Sequence, residues 1–198
     1  MATGPTHRDR AKADRQAALV REAARLFADR GFAGVSLEDL GTAVGFSGPA
    51  VYRHFPNKQA LLGEILVGVS RTLLEGGREV VAAGGTPDEA LDALIAFHVD
   101  FALSSADVIR VQDRELASLG EADLHTVRRL QREYVELWVE VLSRRRPSPS
   151  AADQRVRAHA CFGLINSTPH SLQAARDGSA DADVRGILRE MARASLTA

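Results

Sequence analysis

Apolar residues recur along this chain at three- and four-residue spacings from end to end, and strand patterns are missing. In "ADRQAALVREAARLFADRG", Leu19, Val20, Ala23, Ala24 and Phe27 form one helical stripe, with Gly31 placed to end it. Ser36 can cap a second helix, with Asp39 three residues on, running to Gly45. Ser47 can cap a short third helix that Pro56 stops. Asn57 opens a fourth, in which Leu61, Ile65, Val69 and Leu73 repeat every four residues until Gly84 and Gly85. Thr86, Pro87 and Glu89 form another start signal, followed by "DEALDALIAFHVDFALS", "ADVIRVQDRELASL" and "EADLHTVRRLQREYVELWVEVLSRR". Beyond the loop "RPSPS", Ser150 and Asp153 open "AADQRVRAHACFGLINS", which Pro169 should kink or break, and "DADVRGILREMARASL" ends the chain. The expected fold is all-α, with about nine helices and no internal repeat.

With 198 residues, 45% of them hydrophobic, the chain can bury a sizeable core. No apolar run approaches the roughly 18 residues a spanning helix needs, and the first residues, "MATGPTHRDRAKADRQ", are polar, so no membrane partner and a cytoplasmic location are expected. The lone Cys161 can form no intrachain disulfide and reads as a small buried hydrophobe. A net charge of -1 conceals an asymmetry: residues 1–60 carry +3 and residues 61–198 carry -4. A polyanion would be met by the first third.

In "VGFSGPAVYRHFPNKQALL" a glycine-containing turn joins two short helices, the helix-turn-helix pattern whose second helix enters the DNA major groove. On that helix Val51 and Phe55 face inward toward Leu26, Phe27, Leu37 and Leu40, and Pro49 and Arg53 point outward. The outward arc is small in front, at Gly48, Pro49 and Ala50, where backbone must approach a groove. Behind it Arg53 can donate twice to a guanine edge, and Tyr52, His54 and Lys58 can reach phosphates.

The segment "LFADRGFAGVSLEDLGTAVGFSGPAVYRHFPNKQALL" resembles the DNA-binding domain of TetR-family transcriptional regulators, matching the pattern G-(V/F)-S-x-x-x-(L/V)-Y-x-(H/Y)-F-x-(N/S)-K-x-x-L without a gap, and the likeness covers residues 16 to about 66. The resemblance implies a DNA-binding domain over 1–60, with 1–12 as a flexible arm, and a ligand-binding and dimerisation domain over 61–198. It also implies a homodimer through the last two long helices, double-stranded operator DNA as partner, and repression as the mode of action. Carried over, Tyr52 and Lys58 contact phosphates, Ser36 supplies the capping hydroxyl facing the backbone, and Gly48, Pro49, Ala50 and Arg53 face bases; Ser47, the cap of the third helix, joins them as a DNA-binding candidate. Arg8, Arg10, Lys12 and Arg15 suit either a minor-groove arm or a solvated tail.

The remaining two-thirds holds large apolar residues, among them Phe97, Phe101, Tyr134, Trp138 and Phe162, which can build a core or wall a pocket. Polar residues among them, His98, Arg110, Gln112, Glu115 and Asn166, need partners if buried. "VIRVQDRELASL" with "RRLQREYVELWVEVL" is similar to the ligand domains of TetR members responding to fatty acyl-CoA. The expected effector is therefore acyl-CoA or another hydrophobic molecule, held by Phe97, His98, Phe101, Arg110, Tyr134, Trp138, Phe162 and Asn166. Arg110, Arg114 and Arg128 suit either its polar head or salt bridges with Asp113, Glu115 or Glu121. The helix from Asn57 carries Lys58 at one end and Leu61, Ile65, Leu66 and Val69 toward the second domain, so one rod would touch both sites.

The rivals are an enzyme and a helical small-molecule-binding protein without DNA binding. G-x-S-x-G, G-x-x-x-x-G-K-(S/T), H-E-x-x-H and G-x-G-x-x-G are all missing, so no catalytic residue and no cofactor is assigned. His98 and Asp100 are two apart and do not share a helix face, nor do His159 and Cys161. No metal site is assigned.

Overall fold

The computed structural model describes residues 7–46, 48–146, 150–172 and 181–198, and among these every regular element is helical. The helices are α1 (His7–Arg30), α2 (Leu37–Ala43), α3 (Gly48–Tyr52), α4 (Lys58–Ala82), α5 (Pro87–Ser104), α6 (Ala106–Glu115), α7 (Glu121–Arg145), α8 (Ala151–Leu172) and α9 (Asp181–Thr197), with a 3₁₀ turn over Leu116–Ser118. Their ends follow local chemistry. Gly31, at φ +75°, takes the left-handed conformation that stops α1. Thr86 Oγ1 accepts from the Glu89 N–H while the Glu89 carboxylate accepts the Thr86 N–H at 2.7 Å, a closed capping box.

Two differences from the sequence reading concern the ends of helices. Of the expected 1–12 arm, residues 7–12 already belong to α1; residues 1–6 lie outside the described residues. Also, α8 is not broken at Pro169 but continues to Leu172. A proline one turn from a helix end removes a single interior donor, and α8 is held from both sides by α7 and α9.

Two apolar clusters make the interior. The first joins α1, α2, α3 and the start of α4 through Leu19, Phe27, Leu40, Val51, Phe55 and Leu62, and it also takes in Val111, Leu119 and Val127 from beyond α5. The second unites α4, α5, α7, α8 and α9 around Trp138, Leu91, Leu94, Ile95 and Ile165. Helix α4 belongs to both: Leu61, Leu62, Ile65 and Leu66 enter the first and Leu74 the second. Cys161 is fully buried there, and burial pushes its thiol up to about 11.

Four glycines interrupt α4, though each costs a helix interior about 0.5–1 kcal/mol relative to alanine. At Gly77 an added Cβ would lie 2.7 Å from Tyr134 Cε2 and 3.1 Å from Leu137 Cδ2, and at Gly76 it would run into the Phe97 ring. At Gly68 it would meet nothing within 4 Å. We expect Gly77→Ala to destabilise by roughly 1–3 kcal/mol through overpacking. Gly68→Ala should stabilise by about 0.5–1 kcal/mol. Thermal unfolding followed by circular dichroism should therefore move the two midpoints in opposite directions, by roughly 2–4 °C per kcal/mol.

Candidate nucleic-acid interface

The α2–α3 corner is set by a few local contacts. Ser36 caps α2: its hydroxyl oxygen accepts the Asp39 N–H at 3.1 Å and its own O–H and N–H donate to the Asp39 carboxylate at 2.6 and 2.9 Å. The hydroxyl bond, then the backbone bond, hold the Asp39 carboxyl below its ordinary value. Gly45, at φ +72°, turns the chain, and the Phe46 N–H donates to the Gly41 carbonyl at 2.7 Å. A side chain at Gly41 would press on Val51 Cγ2 at 2.8 Å, so α2 and α3 meet without a gap. Val51 and Phe55 are buried, the inward pair the sequence pattern required.

The outward face carries Tyr52, which is 49% exposed, and Arg53, also exposed. The Tyr52 hydroxyl donates to Glu38 Oε1 at 2.9 Å, and that bond raises its pKa. His54 is half-buried and its ring stacks on Phe46 at 6.1 Å, turned toward the corner rather than standing free on the surface. Gly48, Pro49 and Ala50 form the first turn of α3; Ser47 lies outside the described residues. Beside α3 is a hollow of about 460 Å³ whose wall includes Ser36, Asp39, Tyr52, Asn57 and Lys58. Lys58 Nζ donates to the Phe32 carbonyl at 2.6 Å and stands 4.4 Å from the centre of the Phe32 ring. With two N–H donors to spare on that ammonium and two hydroxyls nearby, the hollow has the donor set of a phosphate site, with Glu38 and Asp39 as competing acceptors.

The eight residues expected to hold an effector divide. Helices α5, α7 and α8 bring His98, Tyr134, Trp138, Phe162 and Asn166 into one packed cluster. His98 and Phe162 ring centres are 4.8 Å apart, Trp138 and Phe162 5.1 Å edge-on, and Trp138 is completely buried. His98 Nε2 lies 3.2 Å from Asn166 Oδ1, which can only accept, so Nε2 carries the proton and Nδ1 accepts from the Tyr134 hydroxyl at 3.2 Å. Burial depresses the His98 pKa to about 4 and raises that of Tyr134. Arg110 instead faces α1, 4.0 Å from Asp29 Oδ1.

Phe97 and Phe101 line a different space, a groove of about 1100 Å³ between α1, α4 and α5. Its α1 wall includes Ala13, Ala17 and Val20, and its α4 wall Ile65, Gly68 and Val69. Val108 on α6 and Arg185 on α9 border it; Arg185 donates to Asp100 at 2.7 Å. The sequence reading missed the α1 wall. Ala13 and Ala17, one turn apart, leave that wall low, and α1 carries other alanines, Ala23, Ala24 and Ala28, that are buried instead, so spacing alone does not mark it.

Residues 19–65 match the family described as "Bacterial regulatory proteins, tetR family", and residues 84–170 match "Tetracyclin repressor-like, C-terminal domain". The HTH-type transcriptional repressor KstR2 of Rhodococcus jostii is 31% identical over 132 residues, which are 66% of this chain and 65% of that protein. Among solved structures, a TetR-family transcriptional regulator from Bordetella parapertussis superposes with a TM-score of 0.77 at 23% identity, covering 91% of each chain. AibR in complex with isovaleryl coenzyme A and operator DNA superposes with a TM-score of 0.72 at 21% identity, covering 89% of this chain and 97% of that one.

The neutral, buried His98 makes stability pH-dependent. An unfolded chain binds the proton near pH 6.5 while the folded one resists it until about pH 4, so stability present above pH 6.5 is lost as pH falls through that window. The loss should approach about 3 kcal/mol by pH 4 from this group alone. Urea unfolding of the parent and of His98→Gln at pH 7, 5.5 and 4.5 checks it: the parent should lose stability more steeply.

Proposed function

The chain belongs to the TetR family of bacterial regulatory proteins, and on that footing we propose that it is a ligand-responsive transcriptional repressor, without catalytic activity, that works in the cytoplasm as a homodimer on operator DNA. The observation that carries this reading is α4. Its first turn sets Lys58 in the phosphate-like hollow, and two turns on, Ile65, Gly68 and Val69 form the wall of the large groove. A molecule entering the groove bears on the same rod that positions the DNA-facing ammonium.

At the DNA, Lys58, Ser36 and Tyr52 take phosphates, Tyr52 exchanging Glu38 for the phosphate oxygen, and Gly48, Pro49 and Ala50 let α3 approach so that Arg53 reads a base edge. A single helix-turn-helix reads a half-site, and a second copy reads the other. On α8, Val156 is 69% exposed beside exposed Ala160 and Gly163, and on α9, Ile187 and Met191 are 45% and 49% exposed. These faces suit a dimer joined through α8 and α9. The effector is an elongated apolar molecule of the acyl-thioester class, as in the complex recorded for AibR, with its chain against Phe97, Phe101, Ile65 and Val69. The groove exceeds the few hundred Å³ a small ligand needs. The cluster of His98, Tyr134, Trp138, Phe162 and Asn166 stands behind it as packing.

Footprinting on genomic DNA gives the operator, and anisotropy titrations then test its contacts. Arg53→Ala should cost about 1–3 kcal/mol and relax preference at one base pair. Lys58→Ala should weaken all sequences alike and flatten the salt slope by about one. Unchanged operator affinity in both variants rejects the DNA surface.

Titrating the operator complex with isovaleryl-CoA and palmitoyl-CoA tests the groove. The matching thioester should weaken binding roughly 5- to 150-fold. Gly68→Leu, which fills open groove space, should abolish that release and leave unliganded operator affinity intact. Release undiminished in Gly68→Leu moves the effector elsewhere.

A further inference from the structure

We propose that Glu115, at the end of α6, is a positioning residue for the DNA-facing ammonium of Lys58 and acts on it through the backbone of Phe32; this rests on the DNA-binding reading above. Glu115 Oε1 accepts the Phe32 N–H at 3.1 Å, across 83 residues of sequence. On the other side of that residue, the Phe32 carbonyl accepts from Lys58 Nζ at 2.6 Å and the Phe32 ring lies beneath the ammonium. The Phe32 ring is itself fixed edge-on against Phe27, 5.2 Å away in the first core. The contact closes into a circuit. Ser118 Oγ donates to Glu115 Oε2 at 3.3 Å, and the Ser118 carbonyl accepts from Gln59 Nε2 at 3.0 Å, Gln59 being the residue after Lys58. A carboxylate on α6 therefore holds both partners of the first turn of α4, one through a loop amide and one through the 3₁₀ turn.

The chemistry explains the choice of residue. Phe32 follows Gly31, whose positive φ turns the chain out of α1, so the Phe32 N–H has no helical carbonyl to meet and needs an outside acceptor. A carboxylate accepts two donors at once, here from Phe32 and Ser118, where a hydroxyl or an amide would leave one weaker. Fixing the Phe32 carbonyl and ring gives Lys58 a defined place, so its remaining N–H groups point into the hollow it shares with Ser36 and Tyr52 instead of sampling the many rotamers of a solvated lysine.

The sign of the effect separates positioning from bulk charge. Removing a carboxylate from a DNA-binding protein ordinarily strengthens binding, because repulsion of the phosphates is relieved. Positioning predicts the reverse for Glu115→Ala. We expect it to bind a 30-base-pair duplex three- to tenfold more weakly at 100 mM salt, with a flatter salt dependence. Glu115→Gln still accepts the Phe32 N–H and should bind as well as the parent or better. Glu115→Asp keeps the charge, is one methylene too short, and should follow Glu115→Ala, which keeps the test open should the alanine variant fold poorly by circular dichroism. Combined with Lys58→Ala, Glu115→Ala should add little further loss, because the two act on one contact. Losses that multiply in the double variant, or tighter binding by Glu115→Ala, overturn the inference while leaving DNA binding in place. A parent protein that binds no duplex at low salt overturns the functional reading and this inference together.

Discussion

Helix α4 can serve two interiors because side chains of its neighbours reach down to its bare backbone. An ordinary helix pair is separated by its side chains, at 8–10 Å between axes. Here Gly76 and Gly77 leave bare backbone where the rings of Phe97 and Tyr134 lie, and Gly63 leaves room for Asp123. Aromatic residues of α5 and α7 thus sit on α4 itself, while the opposite end of the same helix places Leu61, Leu62 and Ile65 among the side chains of α1 and α2. The glycines weaken the isolated helix and strengthen its packing, and the fold depends on the second effect exceeding the first. Surface charge contributes less: Asp100 with Arg185 and Arg189, and Asp88 and Asp92 with Arg193, tie α5 to α9 through half-exposed pairs of the kind worth at most about 1 kcal/mol each.

Much of this was legible in the residues. The caps at Ser36, Asn57 and Thr86, the turn at Gly45 and the buried pair Val51 and Phe55 all follow from spacing and local hydrogen bonding, which a sequence records directly. Tyr52, Ser36 and Lys58 come from different parts of the chain yet share one hollow. What spacing could not give was how large side chains divide between packing and lining. Five of the eight residues expected around an effector pack on one another, His98 bonded between Tyr134 and Asn166 and Trp138 and Phe162 edge to face. Open space arises where helices cross with small residues between them, as Ala13 and Ala17 do against Gly68, and alanine or glycine carries no sign of it in the sequence. Glu115 is a similar case. Its polar side chain calls for a partner, but that partner is the amide of Phe32, and a backbone group leaves no mark on a residue pattern.

The groove and the Glu115 contact are joined by one short helix, and its geometry fixes how they interact. Val108 lies at the groove and Glu115 seven positions further along α6, two turns of helix and about 10 Å of rise, so both are on nearly the same face. With α6 only ten residues long and packed against α1, a displacement that clears Val108 would also move the carboxylate that holds Phe32. The tolerance at that end is small: a bond at 3.1 Å weakens beyond about 3.5 Å, so a shift of well under 1 Å is enough to release the amide and, with it, the seat of Lys58. On the proposed reading, occupancy of the groove would reach the DNA face by two routes, along α4 from Ile65 to Lys58 and along α6 from Val108 to Glu115, both ending on the same ammonium. Linkage would then make the dependence mutual: a phosphate holding Lys58 in its seat would stabilise the Phe32 amide on Glu115, and so favour the position of α6 in which the groove is unfilled.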